Sequence, residues 1–313
     1  MNNKLIFKIL SVNISESKGT IKKPVSDISI FEEGIDKDAH AGDWHRQISL
    51  LGIESIKKFE ASSGRKISYG EFAENITTEG LLLYKTQIGD KFKIGDVELE
   101  VTQIGKKCHG TGCSIYNEVG NCIMPKEGIF CKVLKNGTIS SANTIEYLPQ
   151  SFRVAVITLS DRAFKGEYQD KSGPEISRHL ENYFVGKNQK FIIENCLISD
   201  DSKHLKEKLE MFVNQKYDVI FTTGGTGIGK RDITVDTVKS FQFREMPGIM
   251  ELIRVKYGQE KPNALLSRSV AGIIDDTFVY TLPGSVKAVN EYMVEILKTI
   301  DHLFHMRAGI DSH

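Results

Sequence analysis

The sequence predicts two domains of different grammar: a mainly β, barrel-like domain over residues 1–147 and an α/β domain with a mostly parallel sheet over residues 148–313. Three observations predict this. A chain of 313 residues is long enough for about two domains. Up to residue 147 it is rich in glycine and in period-two alternation: in DKFKIGDVELEVTQIG, Val97, Leu99 and Val101 alternate with Glu98, Glu100 and Thr102. Beyond residue 152, short apolar runs alternate with helical patterns, as in an open, mostly parallel sheet covered on both faces.

In the first half, Gly89-Asp90 and Gly95-Asp96 punctuate the alternating strand as turns. One helix is expected within ISLLGIESIKKFEASSG, ending at Gly64. SSANTIEYLPQSF (140–152), polar with one proline, reads as a short linker. FRVAVITLS (152–160) is an apolar strand, and GPEISRHLENYF a helix with Pro174 suited to its start. KFIIENCLIS (190–199) is another strand. DDSKHLKEKLEMFVNQ is a helix with Ser199 or Asp200 as N-cap, and YDVIFTT (217–223) a third strand. TFVYTLPGS and a helix from 285 to 305 close the chain.

Lys+Arg and Asp+Glu both number 41, so no global basic field points to nucleic acid. No run approaches the roughly 18 apolar residues of a membrane span. The start MNNKLIFKIL lacks a signal-peptide core, and the cytoplasm is the expected location. Five cysteines, an odd number in such a chain, argue for free thiols over a disulfide framework.

TTGGTGIGKRD (222–232) follows the strand YDVIF. Gly224, Gly229 and Lys230 match a Walker A spacing, but Arg231 stands where the magnesium-binding hydroxyl belongs. Gly225 and Gly227 start a dinucleotide fingerprint that Lys230 breaks. The physics of the loop outlasts both labels. Clustered glycines let backbone N–H groups approach an anion, Thr223 and Thr226 add hydroxyls, and a strand end is where open α/β sheets bind ligands. Asp232 beside such a site favours a bridging Mg²⁺; it equally suits an N-cap of the helix beginning near ITVDTVKSF. Asp200 and Asp201 sit at a strand-to-helix passage on the same expected edge, with the same two readings. Asp161 ends the first strand, and Asp170, Ser172 and Gly173 lead into a helix N-terminus, another potential anion site.

ITLSDRAFKGEYQDKSGPEI, LISDDSKHL, VIFTTGGTGIGKRDITVDTV, REMPGI, NALLSRSVAG and YTLPGSVKAV, in this order, resemble the molybdopterin-binding domain of molybdopterin adenylyltransferases, from about 153 to 306. The resemblance implies a three-layer α/β/α fold, a trimer or hexamer, and activation of molybdopterin by ATP and Mg²⁺ to give adenylyl-molybdopterin and pyrophosphate. Carried over by motif, Asp200 and Asp232 are its essential acidic positions, catalytic and Mg²⁺-binding. Thr223, Gly224, Gly225, Thr226 and Gly227 form its pterin-phosphate loop; Asp161, Ser172, Gly173, Ser267, Arg268, Pro283, Gly284 and Ser285 match other pocket segments. The family often has proline in place of Val286, and proline or a small residue near Lys230.

DKDAHAGDWHRQISLL, GEFAENITTEGL, IGDKFKIGDVELEVTQIGKKCH and CIMPKEGIF resemble a MOSC domain, over roughly residues 5 to 140. That family is the β-barrel found at the end of molybdenum-cofactor sulfurases. The resemblance implies binding of the molybdenum cofactor and sulfur handling through a cysteine, here Cys108; a family-level association with pyridoxal phosphate binding comes with it. Lys106, Lys107 and His109 adjoin Cys108, and positive charge lowers a thiol pKa; a buried structural thiol is the alternative. Cys108, Cys113 and Cys122 with His109 raise a zinc reading, but their spacing is not a standard zinc pattern. His40, Asp43, His45 and Arg46 are candidates for the same pocket, Asp38 and Asp43 suit turns equally, Trp44 suits the core, and Glu74 and Asn75 border the site.

Both halves thus resemble handlers of one cofactor. The expected function is a bifunctional enzyme of molybdenum cofactor biosynthesis. The alternatives are a non-catalytic cofactor carrier or scaffold, which would bind pterin without turnover, and a P-loop-like NTPase, which would hydrolyse ATP without pterin and which Arg231 argues against.

Overall fold

Alternation between buried and exposed side chains builds the first unit of the computed structural model, which describes residues 5–107 and 122–307 and divides between Gln150 and Ser151. Its strands are β1 (Leu5–Ile14), β2 (Lys23–Val25), β3 (Asp27–Phe31), β4 (Gly34–Ile35), β5 (Ile48–Gly52), β6 (Ile76–Glu79), β7 (Lys91–Ile94), β8 (Val97–Ile104), β9 (Ile129–Lys135), β10 (Gly137–Ser140) and β11 (Thr144–Leu148). Helices α1 (Ile53–Ser63) and α2 (Met124–Glu127) accompany them. Seven strands pair in the order β11-β7-β8-β9-β5-β6-β1, and β1 pairs again with β11. That closes a barrel, and closure removes exposed sheet edges. Phe7, Ile9, Leu50, Phe92, Leu99 and Val101 fill it.

The stretch read as a linker is therefore in large part a barrel strand. Residues 144–148 pair with β1 and β7, and the buried Ile145 lies opposite Phe7. A single inward apolar residue with Tyr147 half-buried beside it is enough to seat the strand, while its polar neighbours mask the pattern.

The second unit contains β12 (Ser151–Leu159), α3 (Asp161–Phe164), α4 (Ser172–Gly186), β13 (Lys190–Ile198), α5 (Ser202–Asn214), β14 (Val219–Thr223), α6 (Thr234–Lys239), β15 (Phe243–Glu245), α7 (Pro247–Gly258), β16 (Ala271–Ile274), β17 (Thr277–Leu282), α8 (Val286–Ile296) and α9 (Ile300–Arg307). The sheet order is β13-β12-β14-β17-β16-β15. The first four strands run parallel, and β16 and β15 are each antiparallel to the strand before them in that order. Val154, Val156 and Phe221 pack with Leu180, Val289 and Phe304, whereas Ala155, Ile157 and Ile220 pack with Leu205, Leu209 and Val235. Successive strand residues thus serve opposite faces.

Two expectations are corrected. The closing helix is two helices, α8 and α9, and the N-cap of α5 is Asp201, whose carboxylate accepts from His204 N at 2.9 Å. Asp200 is turned elsewhere, as described below. Among the described residues no helix is long and apolar enough to cross a membrane.

Register fixes where chemistry can gather. Leu159 lies opposite Ile198, Thr158 opposite Thr223, and Thr223 opposite Leu282. Four parallel strands therefore end side by side, and the loops carrying Asp161, Asp200, Gly224–Gly227 and Pro283–Ser285 leave from one edge.

Candidate functional site

The glycine loop is anchored by its first members and open at the next. Gly224 N donates to Leu282 O at 3.0 Å, Thr223 Oγ1 to Pro283 O at 3.0 Å, and Thr234 Oγ1 to Gly224 O at 2.8 Å. Gly224 and Gly225 have φ of +99° and +63°, and a Cβ at Gly224 would stand 2.3 Å from Leu159 O. Only glycine fits there. Among the described residues, the N–H groups of Gly225, Thr226 and Gly227 donate to no protein acceptor.

Asp232 caps no helix. Its Oδ2 accepts from Gly229 N at 2.7 Å, inside its own loop, while α6 begins after Ile233 without a side-chain cap. The carboxylate lines a cavity of 460 Å³ with Gly225, Thr226, Gly227, Ser267, Pro283, Gly284 and Ser285. Three separated motifs meet there. The cavity also holds Arg254 and Tyr257 from α7, Lys261, and Glu291 and Tyr292 from α8, which lie outside the motifs, and Lys287, which lies in the last motif but was not singled out. Glu291, 2.8 Å from Lys261, raises the pKa of that lysine, whereas contact with the Lys261 ammonium lowers that of Lys287. The helical spacing of Arg254 and Tyr257, and of Lys287 and Glu291, was the available signal.

Other expected members do not line this cavity. Asp200 and Asp161 clasp each other: Asp161 N donates to Asp200 Oδ2 and Asp200 N to Asp161 Oδ1, both at 3.1 Å. Arg231, 82% exposed, reaches Asp161 at 3.6 Å. Thr223 is fully buried against Pro283, and Lys230 is exposed. Arg268 donates its backbone N–H to Thr226 O at 2.9 Å, but its guanidinium sits on Asp236. The expected anion site before α4 is filled by the chain itself: Asp170 Oδ1 accepts from Ser172 N at 2.9 Å and Gly173 N at 3.3 Å. A carboxylate at a helix N-terminus satisfies the donors that an external anion would use. Ser172 and Gly284 line a separate 520 Å³ cavity.

In the first unit, His40, Trp44, Arg46, Ser49, Asn75, Lys106 and Phe130 help line a pocket of 100 Å³. Trp44 is thus a wall, and Asp43 is exposed. Asp38 is no simple turn residue: fully buried, it meets the equally buried Lys22 at 2.5 Å. Burial pushes the Asp38 carboxyl up, but hydrogen bonds from His40 and the Lys22 charge outweigh it and hold it well below the usual range. For Lys22 burial wins over Asp38, and its pKa falls. Both directions describe a pair held in low dielectric; the ionised Asp38 with its several donors is the firmer of the two. Glu74 is fully buried, accepting from Gly70 N at 2.7 Å, and does not line the pocket. Cys108, His109 and Cys113 lie outside the described residues. Among those described, Cys131 and Cys196 carry free thiols, and no three His, Cys, Asp or Glu side chains converge as metal ligands.

Residues 155–302 match the family described as "Probable molybdopterin binding domain", and residues 36–146 match the MOSC domain. The molybdopterin adenylyltransferase of Haemophilus influenzae is 36% identical over 44% of this chain and 70% of its own length. That of Pyrococcus furiosus is 37% identical over 50% of this chain and 90% of its own. Gephyrin of Dictyostelium discoideum is 37% identical over 48% of this chain, which spans only 21% of gephyrin. The chain belongs to the molybdopterin-binding domain family, with a MOSC domain ahead of that domain.

Proposed function

We propose that the second unit transfers the adenylyl group of ATP to molybdopterin, releasing pyrophosphate, in the biosynthesis of the molybdenum cofactor. One observation carries the reading: the cavity into which Gly225, Thr226, Gly227, Asp232, Ser267 and Pro283–Ser285 converge. The scaffold assigned to it is a three-layer α/β/α domain following a MOSC domain, assembled as a trimer or hexamer in the cytoplasm.

The terminal phosphate of molybdopterin attacks the α-phosphate of ATP, and the bond to pyrophosphate breaks. Such transfers depend on positioning and charge neutralisation. The N–H groups of Gly225, Thr226 and Gly227 suit a phosphate oxygen, and Lys261 and Lys287 add positive charge to the same cavity. Asp232 and Asp200 are the groups that would hold Mg²⁺. Each uses Oδ2 for a backbone N–H and leaves Oδ1 without a protein donor among the described residues. Two carboxylate oxygens completed by phosphate and water suit Mg²⁺, which does not need a cage of three protein ligands. When bound, the ion neutralises phosphate charge. The other candidates carry supporting roles here. Thr223, Gly224 and Arg268 shape the loop, Asp161 orients Asp200, and Ser172 and Gly173 open α4. The MOSC domain binds the cofactor or handles its sulfur through Cys108.

The test is pyrophosphate release by the full chain supplied with ATP, Mg²⁺ and molybdopterin. Asp232→Ala is expected to lower turnover by about a thousandfold while the fold persists. Normal turnover by that variant sinks the assignment, and pterin binding without turnover in the unaltered protein selects a carrier.

A further inference from the structure

The 100 Å³ pocket of the first unit has a construction of its own. Its 100 Å³ is enough for a few waters or a small tetrahedral ion. Among the described residues, the charged side chains in its lining, Arg46 and Lys106, are both cationic, and no carboxylate joins them. Aromatic rings hold them in place. The Arg46 guanidinium lies 4.7 Å from the Trp44 ring centroid and 6.0 Å from that of Phe130, and Lys106 Nζ lies 5.9 Å from Phe130. Rings orient cations without neutralising them. Among the described residues, Arg46 Nε is buried with no acceptor. A buried donor of this kind is costly until an acceptor arrives.

The floor reinforces the pattern. Asp38 accepts from Lys22, Asn75 Nδ2 at 3.1 Å, Ser15 N at 3.1 Å and His40 N at 3.0 Å, so its charge is absorbed beneath the pocket. Lys22 Nζ also stands 3.3 Å from His40 Nδ1, closer than Asp38 Oδ1 at 3.5 Å.

We infer that this pocket binds a tetrahedral oxyanion, either a free inorganic ion or the terminal phosphate of a larger molecule. Arg46 and Lys106 anchor it, and His40 lines the same wall, held by the buried Lys22–Asp38 pair. The inference stands apart from adenylyl transfer, which belongs to the other unit.

Trp44 is the chain's one tryptophan, so its emission reports on this pocket and not on the glycine-loop cavity. The full chain is titrated with inorganic phosphate, sulfate and glycerol phosphate at ionic strength held constant with sodium chloride. A saturable change in Trp44 emission is expected with one or more of them. Arg46→Lys, which keeps the charge, and Lys106→Gln should each weaken binding by about tenfold or more. Asp232→Ala should bind as the unaltered chain does. Saturation by glycerol phosphate identifies a terminal phosphate as the ligand, and saturation by inorganic ions alone identifies a free oxyanion. No saturable response to any of the three overturns the proposal. So does a response that chloride reproduces, or equal affinity in both variants.

Discussion

The glycine-loop cavity and the barrel pocket are built from different materials. In the second unit the floor is backbone: N–H groups of Gly225–Gly227 held on the ends of parallel strands, with no room for a Cβ at Gly224. In the first unit the walls are side chains, Arg46 and Lys106 braced on rings above the buried Lys22–Asp38 pair. A site made of backbone fails when atoms are added. A site made of charged side chains fails when charge is taken away.

The largest test of that contrast is Lys22→Met, which leaves Asp38 buried without its cation. A cost of roughly 3–5 kcal/mol is expected, read from denaturant unfolding followed by Trp44 emission. The sign with pH follows from Asp38. Because its folded pKa is depressed, its contribution is present above the unfolded value of about 3.9 and is lost as pH falls through the lower folded value. The unaltered chain should therefore lose Tm from pH 5 towards about 3, and the variant should lose less. A variant as stable as its parent would erase the distinction between the two sites.

Gly224→Ala comes next. A positive φ costs about 1–2 kcal/mol for an L-residue, and overpacking against Leu159 O adds about 1–3, for roughly 3 kcal/mol in circular-dichroism melts. Full stability would show that the loop yields. Arg268→Ala is the smallest. Its guanidinium sits on an exposed Asp236, so a change of about 0–1 kcal/mol is expected, with molybdopterin affinity unchanged in calorimetry. A large loss of affinity would place Arg268 among the binding groups.

How much of this was legible depended on distance along the chain. The glycine loop and Asp232 lie within eleven consecutive residues, and strand-end logic placed them together. Ser267 and Pro283–Ser285 came only through resemblance, since no local pattern brings them to residue 225. Lys22 was missed because nothing in TIKKPVS says which lysine turns inward, and its partner lies 16 residues on. The Asp170 site was misread for a local reason: the carboxylate two residues before Ser172 already meets the donors that the motif seemed to offer. The segment 144–148 was misread because one inward isoleucine among polar neighbours carries little periodic signal.

The clasp between Asp161 and Asp200 has a consequence for genetics. Each carboxylate fastens the other's backbone, so position 200 works as a rivet between two strand ends as well as an acidic group. An alanine there removes both at once and would overstate any role in chemistry. Asparagine keeps an oxygen for the rivet and discards the charge, so the gap between the two phenotypes measures the chemistry alone.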